Sequence, residues 1–409
     1  MNRILISGAL LLMTAACSGE AAPPLVVEVE HLGSPAGPGS GEPYLASDGT
    51  DIYLSWLEAV DGEHHELRFS RLNGERWSAP RTVARSDLFF VNWADFPSFT
   101  VGADGTLWAH YLERGGKGTY DYAVRVVRSD DEGKSWSEPV TPHDDDSPTE
   151  HGFVSTIPDG SAVGFVWLDG RRYSDAEGRP ATHEMTLRYR ALKSDGTMGD
   201  EMLVDGRVCD CCQTSSAMTA EGPVTVYRDR SDAEIRDIYV TRLRDGAWTE
   251  GVPVHDDGWE IAGCPVNGPA VAARGLDVAV AWFTAAGDVP RVKVAFSDDG
   301  GATFGSPVTV DEGNPAGRVD LLLTPEGSAL VSWLERTGGE DAEVLLRRVE
   351  PAGSMSRSVS LVGSSGARAS GFPRMVSTDD GALVLAWTDL QGEEPQVNVA
   401  RLSTNGASP

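Results

Sequence analysis

"IYLSWLE" (residues 52–58) is a short apolar run, rich in strand-favouring residues, that ends in a tryptophan and a carboxylate. Alone it does not distinguish a sheet from a buried helix. Its six echoes do: "LWAHYLE" (107–113), "GFVWLDG" (164–170), "VTVYRD" (224–229), "VAVAWFT" (278–284), "ALVSWLE" (329–335) and "LVLAWTD" (383–389). Their aromatics, Trp56, Tyr111, Trp167, Tyr227, Trp282, Trp333 and Trp387, recur every 51 to 60 residues. Each run is followed by a second strand with period-two alternation, such as "ELRFSRL" (66–72) or "QVNVARL" (396–402), and preceded by another. Four strands in roughly fifty residues, with no helical stretch, make one propeller blade.

Seven copies predict an all-β, seven-bladed β-propeller over residues 43–409. The seventh copy runs out at "RLSTNGASP" before its outer strand, while a stray strand, "LVVEVEHL" (25–32), precedes the first blade. Pairing the two closes the ring and removes an exposed sheet edge.

Two turns carry a wider resemblance. "SDDEGKSW" (129–136) and "SDDGGATF" (297–304) match the pattern S-x-D-x-G-x-[ST]-[WF]. Their residues Ser129, Asp131, Gly133, Trp136 and Ser297, Asp299, Gly301, Phe304 resemble the Asp-box of the sialidase-like (BNR repeat) propellers. The resemblance implies turns in which the aspartate binds amides and the aromatic plugs the blade. It also implies a six-bladed ring as the alternative architecture, and a glycan-handling fold. An Arg-Ile-Pro element opens the first blade of true sialidases. The matching place here reads "GEPYL" (41–45), with a carboxylate where an arginine would grip sialate, so the activity implied is a glycosidase other than a sialidase.

The chain opens "MNRILISGALLLMTAACSGE", with a basic start, an apolar run too short to span a bilayer, and small residues before Cys17. "TAAC" resembles the bacterial lipobox, implying a signal peptide over 1–16, lipidation at Cys17, and a tether with the closing strand over 17–42. The expected location is the outer membrane or periplasm, with membrane contact only through the anchor. Sixty-two acidic against thirty-four basic residues leave a formal charge of −28. Such a field disfavours nucleic acid, leaving a carbohydrate or small molecule as the expected ligand of a monomer.

Propeller topology gathers the loops entering each blade and the loops after each aromatic on one face. That face receives "CDCC" (209–212) and Cys264, four of the chain's five cysteines. Disulfides, a copper or zinc thiolate site and free thiols all remain open for Cys209, Cys211, Cys212 and Cys264. The alternative function is therefore a non-catalytic metal- or ligand-binding lipoprotein centred on this cluster.

The same face supplies acids and bases. Glycoside hydrolysis needs two carboxyl groups about the scissile bond, and an acidic sugar needs a cationic clamp. Asp169, Asp229 and Glu234 are the candidate catalysts of a glycoside hydrolase. Trp93, Asp95, His151, Arg171, Arg228, Arg236, Asn267 and Arg318 are the candidate substrate contacts.

Overall fold

The computed structural model describes residues 24–62, 64–173 and 182–404; the expected signal peptide over 1–16 and Cys17 lie outside them. Seven antiparallel sheets follow one another along the chain. Blade one runs from Ser40–Ser47 to Arg81–Ser86 and blade seven ends with Gln396–Thr404. The innermost strands neighbour one another around the ring, blade seven against blade one included. The strand Val27–Leu32 pairs antiparallel with Gln396–Thr404, Val27 facing Thr404 and Leu32 facing Val399, and forms the outer edge of blade seven. Among the described residues, single 3₁₀ turns at Ala286–Asp288 and Arg368–Ser370 are the sole helical elements.

The repeated aromatics form the core between blades. Trp56, Trp167, Trp282 and Trp333 are fully buried. A buried indole N–H needs an acceptor. Trp56 donates to Glu58 at 2.8 Å, Trp167 to Asp169 at 2.9 Å and Trp333 to Glu335 at 2.7 Å, each acid two residues further on. Blade five has Thr284 at that position, and Asp257 from a preceding loop accepts from Trp282 at 2.7 Å instead. The carboxylate after the aromatic is therefore part of the scaffold.

The two S-x-D-x-G turns are near copies. Asp131 Oδ1 accepts from the N–H of Lys134 and Ser135 at 3.0 and 2.9 Å, while Asp299 Oδ1 accepts from Ala302 and Thr303 at 2.9 Å each. The hydroxyls of Ser129 and Ser297 accept from Gly133 and Gly301 at 2.8 and 3.0 Å. Trp136 lies edge-on to Phe69 of blade one, with centroids 5.9 Å apart.

At the opposite end, the inner strands of blades one, three and six begin with a register shift, at Gly41/Tyr44, Gly152/Ser155 and Gly317/Asp320. In each, the residue after the glycine is left-handed: Glu42 at φ 50°, Phe153 at 52° and Arg318 at 53°. Such non-glycine outliers are strained and persist only where their surroundings enforce them. Such bulges bend the strand and re-aim its side chains.

Candidate active site

A pocket of ≈500 Å³ opens at that end, between blades two, three and four. Three elements build its floor. The loop before blade two brings Asp95, the third strand of blade two (Tyr122–Ser129) begins with Tyr122, and Glu150 bridges to Tyr122 just before blade three. The Tyr122 hydroxyl lies 2.7 Å from Asp95 Oδ2 and 2.7 Å from Glu150 Oε1. Its ring stacks on Phe90 at 4.0 Å, fixing the hydroxyl between the two acids. Asp95 also accepts the N–H of Phe153 at 2.6 Å. Only a glycine at 152 permits this, since a Cβ there would overlap the Asp95 carboxyl.

One phenol has one proton. With two acid oxygens at hydrogen-bond distance, it donates to one, and the other acid must carry a proton of its own to donate back. The electrostatics agree. Burial pushes Asp95 up to about 7, against the opposing bonds from Tyr122 and Phe153. Burial pushes Glu150 up to about 8, with the charges of Asp95, Asp210 and Cys264 adding to it. Tyr122 itself is held well above its ordinary value by burial and by both acids.

Across the pocket stands Asp210, which accepts from the Tyr173 hydroxyl at 2.7 Å and from Arg236 Nη1 at 3.0 Å. Trp93, Tyr120 and Tyr173 supply aromatic walls, and Arg368 supplies an exposed guanidinium at the rim.

The residues named from sequence divide between pocket and scaffold. Trp93 and Asp95 line the pocket. Asp169 does not: it is fully buried and holds Trp167 and, through Nε and Nη2 at 2.7 Å each, Arg171. Asp229 packs near Asp205, Arg207 and Asp237, away from the pocket lining, and burial pushes it up to about 7. Glu234 is paired with Arg230 at 2.7 Å and Arg236 at 2.9 Å, which holds it down near 2.

The expected cationic clamp is likewise engaged by the protein. Arg171 is occupied by Asp169 and Glu201. Arg228 donates to the carbonyls of Asn267, Arg236 and Phe283. Arg318 binds the carbonyls of Ala367 and Gly371 and lies over Trp93 at 5.0 Å. Asn267 accepts the Arg318 N–H at 2.8 Å. His151 is buried; its Nδ1 lies 3.0 Å from the Thr149 carbonyl and its Nε2 3.1 Å from Asp145. These residues brace the pocket from behind.

Tyr122 is the central residue that sequence reasoning overlooks. The repeat carries no signal for it: aligned on the blade aromatics, its row reads His65, Tyr122, Met185, Arg236, Pro290, Ala342 and Pro395, all but the prolines unlike.

The chain matches no protein-family model. No curated protein matches it either. Solved structures do. A protein of unknown function from Dyadobacter fermentans superposes with a TM-score of 0.55 at 15% identity, over 94% of this chain and 100% of its own. The polysaccharide lyase Uly1 superposes with a TM-score of 0.55 at 9% identity, over 88% of this chain and 89% of its own. The Hadza microbial sialidase Hz136 gives 0.44 at 17% identity, over 72% of this chain and 63% of that one. On the first two likenesses, the chain shares its propeller fold with a polysaccharide lyase and with the Dyadobacter protein.

Proposed function

We propose that the protein is an exported carbohydrate-active enzyme, an exo-acting glycosidase working in the pocket of blades two to four. One observation carries this reading: the Tyr122 hydroxyl stands 2.7 Å from both Asp95 and Glu150, so the group retains a shared proton near neutral pH. Glu150 is the general acid that protonates the leaving oxygen, and Tyr122 and Asp95 hold its proton in place. Asp210, ion-paired to Arg236, is the opposing carboxylate that stabilises positive charge at the sugar or activates water. A buried acid that holds its proton, facing a carboxylate paired to a guanidinium, fits the division of labour that glycoside cleavage requires. The aromatic walls offer faces on which a sugar ring stacks, and the pocket is of a size for a terminal sugar unit. The fold shared with a lyase named for polysaccharides supports the same substrate class.

The twin turns support kinship with the sialidase-like Asp-box propellers, and "TAAC" supports an anchor through lipidated Cys17. Incorporation of radiolabelled palmitate, lost in Cys17→Ser, tests the anchor.

The experiment for the activity is release of reducing sugar from a panel of glycans and aryl glycosides. Turnover of at least one substrate is expected, falling about 100-fold or more in Glu150→Gln. Absence of both turnover and calorimetric binding across the panel would overturn the reading.

A further inference from the structure

Cys211 and Cys264 line the edge of the pocket, and behind Cys211 lie Cys209 and Cys212. Cys209 Sγ lies 3.9 Å from Cys211 Sγ and 3.7 Å from Cys212 Sγ, and all three sulfurs fall within 4.8 Å of one another. Metal–thiolate bonds of about 2.3 Å place trigonal ligands about 4.0 Å apart, so this spacing accommodates one ion at the centre. All three residues are buried, whereas Cys264 is exposed.

The surroundings bear on charge. Arg228 is 2% exposed, yet its hydrogen-bond partners are carbonyl oxygens, and among the described residues it has no carboxylate partner. A buried cation without a counter-charge is strongly disfavoured. Cys212 is the neighbour on which its charge acts, and the Asn267 N–H is directed at the same sulfur. A second buried guanidinium, Arg236, places Nη1 3.2 Å from Cys209 Sγ. A disulfide would set neutral sulfur beside these guanidiniums, whereas metal-bound thiolates would set negative charge there.

We propose that Cys209, Cys211 and Cys212 bind one copper(I) ion as thiolates, with Arg228 supplying an unmatched positive charge and Arg236 a hydrogen bond to Cys209. Three thiols release three protons to solvent on binding, and the resulting cluster carries two surplus negative charges, one of them offset by Arg228, while Arg236 is already paired with Asp210 and Glu234. Soft thiolates in a three-coordinate set select copper(I) over harder ions. The ion staples the loop that presents Asp210 to the pocket, since Asp210 lies between two of its ligands. It takes no part in the glycosidase step, so the proposal stands or falls independently of that activity.

The test uses the mature protein, reduced and desalted without oxygen, then titrated with copper(I) against bathocuproine disulfonate as competitor. One equivalent is expected to stay with the protein. X-ray absorption of the loaded wild type should show three sulfur neighbours and no nitrogen or oxygen. Retention should persist in Cys264→Ser and vanish in Cys212→Ser. Complete loss of copper to the competitor would overturn the proposal, as would a nitrogen- or oxygen-containing shell or loss of retention in Cys264→Ser. So would preferential retention of zinc, or a bonded pair among the three cysteines in the unreduced native protein. The wild-type absorption spectrum decides the matter even where Cys212→Ser fails to fold.

Discussion

Tyr122 donates or accepts at 2.7 Å from Glu150 across the boundary between blades two and three, the two residues also being paired through their backbones. Side-chain and main-chain contacts thus fix one geometry, and Asp95 completes it from a third segment. The position of the proton in this group bears on stability and, on the proposed glycosidase reading, on reactivity.

Removing the hydroxyl tests that coupling. Tyr122→Phe leaves two buried carboxyls facing each other without their shared donor. A stability loss of about 1–3 kcal/mol is expected by urea denaturation, because each buried acid loses a hydrogen bond. Turnover of any glycan found to be a substrate should fall about 100-fold, with KM changed far less than kcat.

The pH dependence has a definite sign. Glu150 is raised by burial from 4.5 to about 8, and Asp95 by burial from 3.8 to about 7. Below the ordinary carboxylate values both folded and unfolded chains are protonated, so neither acid affects stability. As pH rises from there to about 8, the unfolded chain gives up protons that the folded one keeps, and stability falls. Denaturation midpoints should therefore decline across this window in the wild type and decline less in Glu150→Gln. A wild-type midpoint that rises through the same window would contradict the assignment.

Gly152 is required by the site itself. A methyl group there overlaps the Asp95 carboxyl and lies 2.8 Å from Tyr122 Cε2. Gly152→Ala should destabilise the protein by about 1–3 kcal/mol and reduce turnover, since Asp95 must leave the Phe153 amide. Calorimetric unfolding and steady-state rates measure the two effects.

Scaffold acids and the acids proposed as catalysts should separate cleanly on substitution. Asp169→Asn strips charge from a fully buried acid that holds Trp167 and Arg171, and a loss of about 3–5 kcal/mol in folding stability is expected. Asp229→Asn, outside the pocket lining, should leave turnover unchanged while gaining stability over the wild type as pH rises from 3.8 to about 7, the window in which the unfolded chain gives up a proton that the buried native carboxyl keeps, with the gain level above that.

The Asp-bearing turns give a graded comparison. Gly133 and Gly301 have nearly the same backbone, φ 78° and 80°. A Cβ at 133 would run into the Phe69 ring, whereas at 301 it would meet Val224 at 3.3 Å. Both alanine variants bear the cost of a left-handed residue, but Gly133→Ala should lose more in thermal melting because it also displaces a packed aromatic.

The fold was legible because a blade is a local pattern. An alternating strand ending in Trp56 or Trp333, repeated seven times, specifies strands, turns and their order without any long-range information. The same repetition misleads about function. Asp169 sits where Glu58 and Glu335 sit and does their work, holding an indole, so proximity to the axial face was not evidence of reactivity. Arg171 and Arg228 read as a substrate clamp by type and loop position; their donors turn inward to Asp169 and to carbonyls.

Period, residue type and propeller connectivity are enough to specify the all-β repeat, the seven blades, the two matched turns and the gathering of "CDCC" with the acidic loops on one face. They do not specify that Asp95, Tyr122 and Glu150 meet at a single hydroxyl, or that Cys209, Cys211 and Cys212 converge beside a buried Arg228. These meetings depend on distances between blades, set by bulges at Gly152 and Gly317 and by aromatic packing. A chain's repeat fixes which end a residue occupies; the angle at which neighbouring blades pack fixes what it touches.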